Sequence, residues 1–470
     1  MTPTVETAPI PSTDVTTLPP LVARLRAAFD AGRTRPLEWR RAQLRAIARL
    51  LSAHGEELAE ALHRDLGKPA LEAWATDLQI VKTEANAAAK QLGRWTRPER
   101  RHTPLNQQPG ASRILREPLG VVLIIAPWNY PVQLLLSPAI GAIAAGNAMV
   151  LKPSELTPHV SAVLARRVRE LLDPEAIAIV EGGVTETTAL LAERFDYVFY
   201  TGNGAVGRVV MEAAARHLTP VTLELGGKSP CIVDASADLP VAARRIAWGK
   251  FLNAGQTCIA PDYVLAHESV EEELLTQLRA ALREFYGDDP HRSPDYGRIV
   301  NERHHRRLAA LLKSGDVVVG GETDESERYI APTILRNVPE DSAVMADEIF
   351  GPILPVLRVR SIDDAVAFVN RRPKPLALYV FTRDSKVEQD VLTRTSSGGA
   401  CVNATLWHIA NPELPFGGVG PSGMGAYHGR ASFELFSHHK SVLRKPTFID
   451  PKIAYPPYTR LKTELVKRFL

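Results

Sequence analysis

Apolar residues recur at helical spacing from Leu21 to His63: Leu21, Leu25 and Phe29 first, then Leu44, Ile47, Leu50 and Leu51. That spacing predicts helix. A second helical pattern covers Leu71 to Trp95, and a polar, proline-bearing connector follows from Arg97 to Gly110. Beyond it, short apolar runs alternate with helical patterns. Val121–Ile125, Ala148–Leu151, Ile177–Val180 and Tyr197–Tyr200 read as strands. Val132–Ala145, Ser161–Leu172, Thr185–Arg194 and Gly207–His217 read as helices. Strands rich in Val and Ile, separated by helices, predict a parallel sheet in an α/β domain.

After the strand pattern at Val221–Leu225 the chain leaves that domain near Gly226 and Gly227, and a second α/β series begins. Cys231–Val233, Tyr263–Ala266, Val317–Val319, Leu354–Val359 and Ala377–Phe381 read as strands. Pro240–Leu252, Val270–Tyr286, Asn301–Leu312 and Ile362–Val369 read as helices. A glycine-rich loop covers Phe416–Gly425. Near the C-terminus, Leu461, Leu465 and Phe469 form one apolar helical stripe, too short and too charged to span a bilayer.

One uncharged stretch, Val121 to Leu151, has the length of a membrane span. Pro127, Asn129, Pro131, Pro138, Gly141, Gly146 and Asn147 interrupt it, so it reads as buried strand, helix and strand of a soluble protein. With 470 residues the chain exceeds one ordinary core, and two or three domains are expected. Its 56 basic and 53 acidic residues are too balanced to suggest nucleic acid as a partner. Three cysteines in so long a chain argue against a disulfide scaffold and for a reducing, cytoplasmic compartment. The first twenty residues, rich in Thr and Pro, read as a disordered tail.

Candidate chemistry centres on Cys258, in Phe251-Leu252-Asn253-Ala254-Gly255-Gln256-Thr257-Cys258. A helix signal ending at a glycine puts this thiol on a loop beside a helix end, where a thiolate can be stabilised and approached. Glu224 lies inside an apolar strand pattern; partial burial there raises a carboxyl pKa and poises it as a general base. Asn129, between Trp128 and Tyr130, is costly in an apolar stretch without partners, and its NH2 can donate to an oxyanion. Lys152 and Glu155 end a strand, where they can reach a ribose or simply start a helix. Gly202, Gly204 and Gly207 follow a strand and open a helix, a turn that suits a diphosphate. Glu348 and Phe350 combine an acid with a ring able to buttress a flat group. The pair His304-His305 stands among arginines, which disfavours a metal and suggests a solvated helix face. No metal site is expected.

In order, Pro127-Trp128-Asn129, Lys152-Pro153-Ser154-Glu155, Leu223-Glu224-Leu225-Gly226-Gly227-Lys228, Gly255-Gln256-Thr257-Cys258 and Glu348-Ile349-Phe350-Gly351-Pro352 closely resemble the NAD(P)-dependent aldehyde dehydrogenase superfamily. The resemblance covers the chain from about Leu21 onward. Cys258-Ile259-Ala260-Pro261-Asp262-Tyr263 and the segment Leu414–Gly429 are most similar to its class 3 and fatty-aldehyde branch. The resemblance implies a Rossmann-type nucleotide-binding domain (21–226), an α/β catalytic domain (227–425) and a small β oligomerisation arm. The arm would draw on residues near 97–118 and on a strand in 426–470, in a homodimer.

It further implies oxidation of an aldehyde to its acid with NAD, or NADP. Cys258 would be the nucleophile and Glu224 the base that activates water. Asn129 and the Cys258 backbone N–H would hold the oxyanion. Lys152 and Glu155 would take the adenosine ribose, Gly202 and Gly207 the diphosphate turn, and Trp128, Glu348 and Phe350 the nicotinamide side. Asn203 and Gly204 depart from the family's usual hydroxyl residues there. Trp128, Tyr130, Ile259 and Trp407 suggest a pocket for medium-chain or aromatic aldehydes. Alternatives are transfer of the acyl group to CoA, which Glu224 disfavours, a thiol hydrolase, which needs a histidine paired to Cys258, and a non-catalytic role.

Overall fold

A computed structural model describes residues 12–469. The N-terminal helical pattern resolves into α1 (Leu18–Asp30), α2 (Leu37–Ala53) and α3 (Gly55–Leu66). α3 stops at Gly67, whose φ of 61° is the left-handed cap that glycine adopts without a Cβ penalty. Then α4 (Ala70–Glu72), a π-helical stretch over Ala73–Gln79, and α5 (Ile80–Trp95) run end to end. The tail expected over residues 1–20 is corrected here. Residues 1–11 lie outside the described part, but Ser12 donates to Glu186 at 2.6 Å and the Asp14 carboxylate accepts the Thr16 N–H. α1 already begins at Leu18, fully buried, with prolines in its first turn where no amide donor is needed.

The chain continues through β1 (Glu99–Arg101), β2 (Ala111–Pro118), β3 (Val121–Ile125), α6 (Gln133–Ala145), β4 (Ala148–Lys152), α7 (Pro158–Leu171), β5 (Ile177–Ile179), α8 (Val184–Ala192), β6 (Tyr197–Thr201), α9 (Gly204–Ala215) and β7 (Val221–Glu224). It then runs through β8 (Pro230–Val233), α10 (Leu239–Phe251), β9 (Tyr263–His267), α11 (Glu271–Tyr286), α12 (Glu302–Leu311), β10 (Asp316–Val319), β11 (Thr323–Asp324), β12 (Tyr329–Ile330), β13 (Thr333–Arg336), α13 (Ala343–Ala346), β14 (Ile353–Val359), α14 (Ile362–Asn370), β15 (Ala377–Phe381), α15 (Ser385–Arg394) and β16 (Gly399–Val402). β17 (Gly423–Met424), α16 (Gly429–Leu435), β18 (Ser437–Arg444) and α17 (Arg460–Phe469) complete it.

Two sheets carry the molecule. The first has the order β17-β7-β6-β3-β4-β5, parallel throughout except for β17. The second has the order β10-β13-β14-β9-β8-β15-β16, parallel except for β10. The chain crosses between them over Leu225–Ser229. Strand order in the first sheet reverses between β3 and β6, and the carboxyl ends there form the crevice where open α/β sheets bind ligands. A third, three-stranded antiparallel sheet, β1-β2-β18, is mostly half-buried or exposed.

The uncharged stretch Val121–Leu151 is β3, α6 and β4. Every residue of α6 is buried, so it is apolar on all faces for lack of a solvent side. Among the described residues no helix is long and apolar enough to cross a membrane. The return of β17 to β7 places Gly423 opposite Glu224, so the segment before residue 425 already belongs to the first sheet. This differs from an expected boundary at 425, because a two-residue glycine-bearing strand has no apolar alternation to read.

Candidate active site

Three loops meet at the crevice. The first follows β3 and carries Trp128, Asn129 and Tyr130. The second follows α10, where Leu252–Gly255 form a tight turn with Asn253 at φ 52° and Ala254 at φ 51°. This left-handed turn reverses the chain and delivers Cys258 to the crevice. The third is β7 itself, with Glu224 at its carboxyl end.

Asn129 is buried at 2% exposure, and its amide donates to the Gln256 carbonyl at 3.0 Å, two residues before Cys258. One N–H of the amide is therefore engaged with the loop that carries Cys258 rather than held in reserve. The Asn253 amide donates to the Asn129 carbonyl at 2.9 Å. Gln256 fixes the loop from its other side: its amide donates to the Arg298 carbonyl at 2.9 Å, and its side-chain oxygen accepts the Val300 N–H at 3.0 Å.

Cys258 and Glu224 line one cavity of about 180 Å3. Tyr130, Ile259, Leu406, Trp407, Phe416 and Tyr427 also line it. Its wall is otherwise nearly all carbon. Glu224 is 2% exposed, and neither carboxylate oxygen has a hydrogen-bond partner. Thr201 stands opposite it on β6, its hydroxyl also unpartnered. Burial pushes the Glu224 carboxyl well above the usual carboxylate range, as its place in an apolar strand suggested. Burial also pushes the Cys258 thiol up, reinforced by the negative charges of Glu348 and Glu224. The backbone N–H groups of Cys258 and Ile259 pull the other way, so the thiolate expected at this position depends on them against burial and two nearby carboxylates.

The expected cofactor residues occupy the neighbouring end of the crevice. Lys152 is buried, with its ammonium donating to the Pro153 carbonyl at 2.7 Å and standing 3.9 Å from the Glu155 carboxylate. Two ammonium protons and a half-exposed carboxylate remain beside each other, a donor–acceptor set that fits a ribose diol. Gly202 and Gly207 pack on the protein itself. A Cβ on Gly202 would stand 2.2 Å from the Tyr200 hydroxyl oxygen, and one on Gly207 3.0 Å from Leu225. Asn203 caps α9, its side-chain oxygen accepting the Val206 N–H at 3.0 Å, and so takes one of the first-turn donors that a diphosphate would otherwise use. Gly204 faces open space out to Arg208 and Leu225 at the limit of contact.

Glu348 lies against the glycine pair that leaves β7; a Cβ on Gly226 would stand 1.9 Å from its carboxylate. Burial pushes Glu348 up to about 8, helped by the nearby Asp262 charge and opposed by the Gly227 N–H. Phe350 packs edge-to-face with Trp128 at 5.3 Å between ring centres, and Trp128 also contacts His304 at 5.4 Å. Trp128 thus belongs to this aromatic group and not to the cavity wall, which corrects one of four expected pocket residues. The solvated face expected for His304-His305 is also corrected. His305 is 3% exposed, with Nε2 against the Tyr329 carbonyl at 2.9 Å.

Sequence reasoning missed Thr201, Phe416 and Tyr427 in the wall. Tyr427 is fully buried with its hydroxyl unpartnered. Its segment was legible as a family motif, but only the Phe416–Tyr427 pairing turns its ring toward Glu224 and Cys258.

The profile of the aldehyde dehydrogenase family matches residues 4–442. The chain belongs to the aldehyde dehydrogenase family. It is 50% identical over 446 residues to the 4,4'-diaponeurosporen-aldehyde dehydrogenase of Staphylococcus aureus, covering 94% of this chain and 97% of that one. It is 51% identical to human aldehyde dehydrogenase family 3 member B1, over 94% and 96% of the two chains. A canine aldehyde dehydrogenase named dimeric and NADP-preferring is 50% identical, over 93% and 97%. The solved structure of substrate-bound Staphylococcus aureus AldH superposes with a TM-score of 0.94 at 49% identity, over 96% and 99%. The class 3 resemblance read from the motifs agrees with these relatives. The chain is accordingly an aldehyde dehydrogenase of the kind that works with NAD or NADP.

Proposed function

We propose that this aldehyde dehydrogenase forms a covalent acyl-enzyme on Cys258 and hydrolyses it with Glu224 as the base. One observation carries the reading: a thiol and a carboxylate with both oxygens unpartnered share an apolar cavity at the carboxyl ends of the first sheet. Cys258 loses its proton to solvent and its sulfur, as thiolate, bonds to the aldehyde carbon. The oxyanion is held by the second N–H of the Asn129 amide and by the Cys258 backbone N–H. When bound, NAD or NADP would supply the hydride acceptor that takes the carbon to the thioester level. Lys152 and Glu155 would hold its adenosine ribose, while Glu348, Phe350 and Trp128 would bound the nicotinamide side. Glu224, as the carboxylate, then takes a proton from water, which attacks the thioester. The C–S bond breaks and the acid leaves.

The CoA-transfer and hydrolase readings lack support. A base set beside the thiol serves water activation. The imidazole that meets a thiol is His408, which stands 3.2 Å from Cys401, and not from Cys258. The cavity's carbon wall favours medium-chain or aromatic aldehydes. The exposed edge of the three-stranded sheet, together with the relative named dimeric, supports a homodimer. Three free cysteines suit a reducing, cytoplasmic setting.

Intact-mass measurement tests the chemistry. Glu224→Gln, mixed with hexanal and NAD, is expected to give one burst of NADH and to accumulate an acyl adduct on Cys258. Cys258→Ala is expected to bind NAD normally and give neither. An adduct absent from Glu224→Gln, or turnover by Cys258→Ala, would sink the assignment.

A further inference from the structure

Beneath the site lies an ion pair that the reaction sequence does not use. Lys68 and Asp77 are both fully buried, and their charged groups are 2.7 Å apart. A buried ion pair is often no more stabilising than an apolar pair of similar volume, so its presence asks what its hydrogen bonds do. Lys68 follows the left-handed cap of α3, and Asp77 lies in the π-helical stretch Ala73–Gln79. The π-helix is an arrangement found often at functional sites.

Every further side-chain hydrogen bond of the pair goes to the segment that carries Asn129 and opens α6. The Lys68 ammonium donates to the Asn129 carbonyl at 3.1 Å and lies 4.1 Å from the centre of the Tyr130 ring. The Asp77 carboxylate accepts the Val132 N–H at 3.2 Å and the Gln133 N–H at 3.3 Å, at the start of α6. With Asn253 also donating to it, the Asn129 carbonyl is held by two donors. Its amide in turn holds the Gln256 carbonyl. Glu72, five residues before Asp77, accepts the Asn253 N–H at 3.0 Å. Charged side chains from one ten-residue stretch therefore grip both loops of the site, and none touches the cavity.

We propose that Lys68 and Asp77 are positioning residues that set where the Asn129 amide stands relative to Cys258. The inference rests on the oxyanion role given to Asn129 above. The pair then acts on C–S bond formation, where the oxyanion develops, and not on cofactor binding or on hydrolysis of the thioester.

The test is a double-mutant cycle on the NADH burst with hexanal. Lys68→Met combined with Asp77→Asn removes both charges at nearly constant volume, and the amide oxygen at position 77 still accepts the α6 N–H groups. The combined variant is expected to lose roughly 100-fold in burst rate, the scale set by an ångström of misplacement, with KM for NAD unchanged. Asn129→Ala is expected to lose a similar amount, and adding it to the first two to cost nothing more, since all three act through one amide. Asp77→Asn alone leaves Lys68 in place and provides the same reading if the combined variant is not recovered folded; a reduced burst rate with an unchanged KM is expected. A wild-type burst rate in either variant, or losses that multiply with that of Asn129→Ala, would overturn the proposal. A full burst in Asn129→Ala itself would instead overturn the oxyanion role, and this inference with it. Glu224→Gln trapping the adduct as before would show that the covalent route survives that failure.

Discussion

Burial raises the cost of ionising Cys258, and two carboxylates nearby raise it further. Glu224, buried in turn, holds its own proton to a higher pH than an ordinary carboxyl does. Both groups are active when deprotonated, so both shifts move activation toward alkali. Iodoacetamide should therefore alkylate Cys258 slowly in the cofactor-free enzyme at neutral pH. The rate should climb with pH and show no plateau below the ordinary thiol value of 9.0; a plateau near neutrality would show a stabilised thiolate instead. At this scale the sequence singled out Cys258, Glu224 and Asn129 but not their electrostatics. Pro127-Trp128-Asn129 and Gly255-Gln256-Thr257-Cys258 are contiguous because each loop must present backbone and side chain together. What surrounds Cys258 comes from segments scattered along the chain, and no spacing rule says that a carboxylate 34 residues earlier and another 90 later would face it. Lys68 was likewise invisible. Its position after a helix-ending glycine was readable, but the Asn129 carbonyl that its ammonium reaches lies 61 residues along the chain.

Among the elements, the turn at Asn253 and Ala254 is the most demanding. Two consecutive non-glycine residues in the left-handed region cost about 1–2 kcal/mol each, so surrounding contacts must hold them there. The Glu72 carboxylate is one such contact through the Asn253 N–H. Burial pushes Glu72 up to about 7 from 4.5, against the pull of that N–H and of Lys68. The folded enzyme thus keeps a proton that the unfolded chain gives up above 4.5. The associated stability is complete below 4.5 and declines as pH rises through about 7. Glu72→Gln removes this titration. Its melting temperature, measured relative to the native enzyme, should rise between pH 5 and 8, and a constant difference would exclude Glu72 as the source. Periodicity found most long elements within a few residues, since α10 and α11 each have one buried face. It merged α1 to α3, because a helical stripe continues across a short turn. It missed β18, whose Ser437-His438-His439-Lys440 start is polar: the strand is held by pairing with β2 and has little to bury.

At the scale of the whole molecule, the β1-β2-β18 sheet stands at the edge with β18 outermost. An exposed eight-residue strand is a ready template for a second chain. Leu443 on it is 47% exposed, an apolar residue with nothing described against it in one chain. If the proposed homodimer forms through this strand, Leu443→Glu should shift the mass measured by light scattering toward that of a monomer while leaving the far-ultraviolet spectrum unchanged. An unaltered mass would place the subunit contact elsewhere.

The same strand has a consequence for synthesis. β18 pairs along its whole length with β2, and Glu434 beside it accepts from Arg116, 318 residues back. β17 likewise closes onto β7 only after the second sheet has been made. A ribosome therefore releases most of the chain before the flanks of its first half are covered. During that interval the early strands wait with open margins, templates for pairing with another chain.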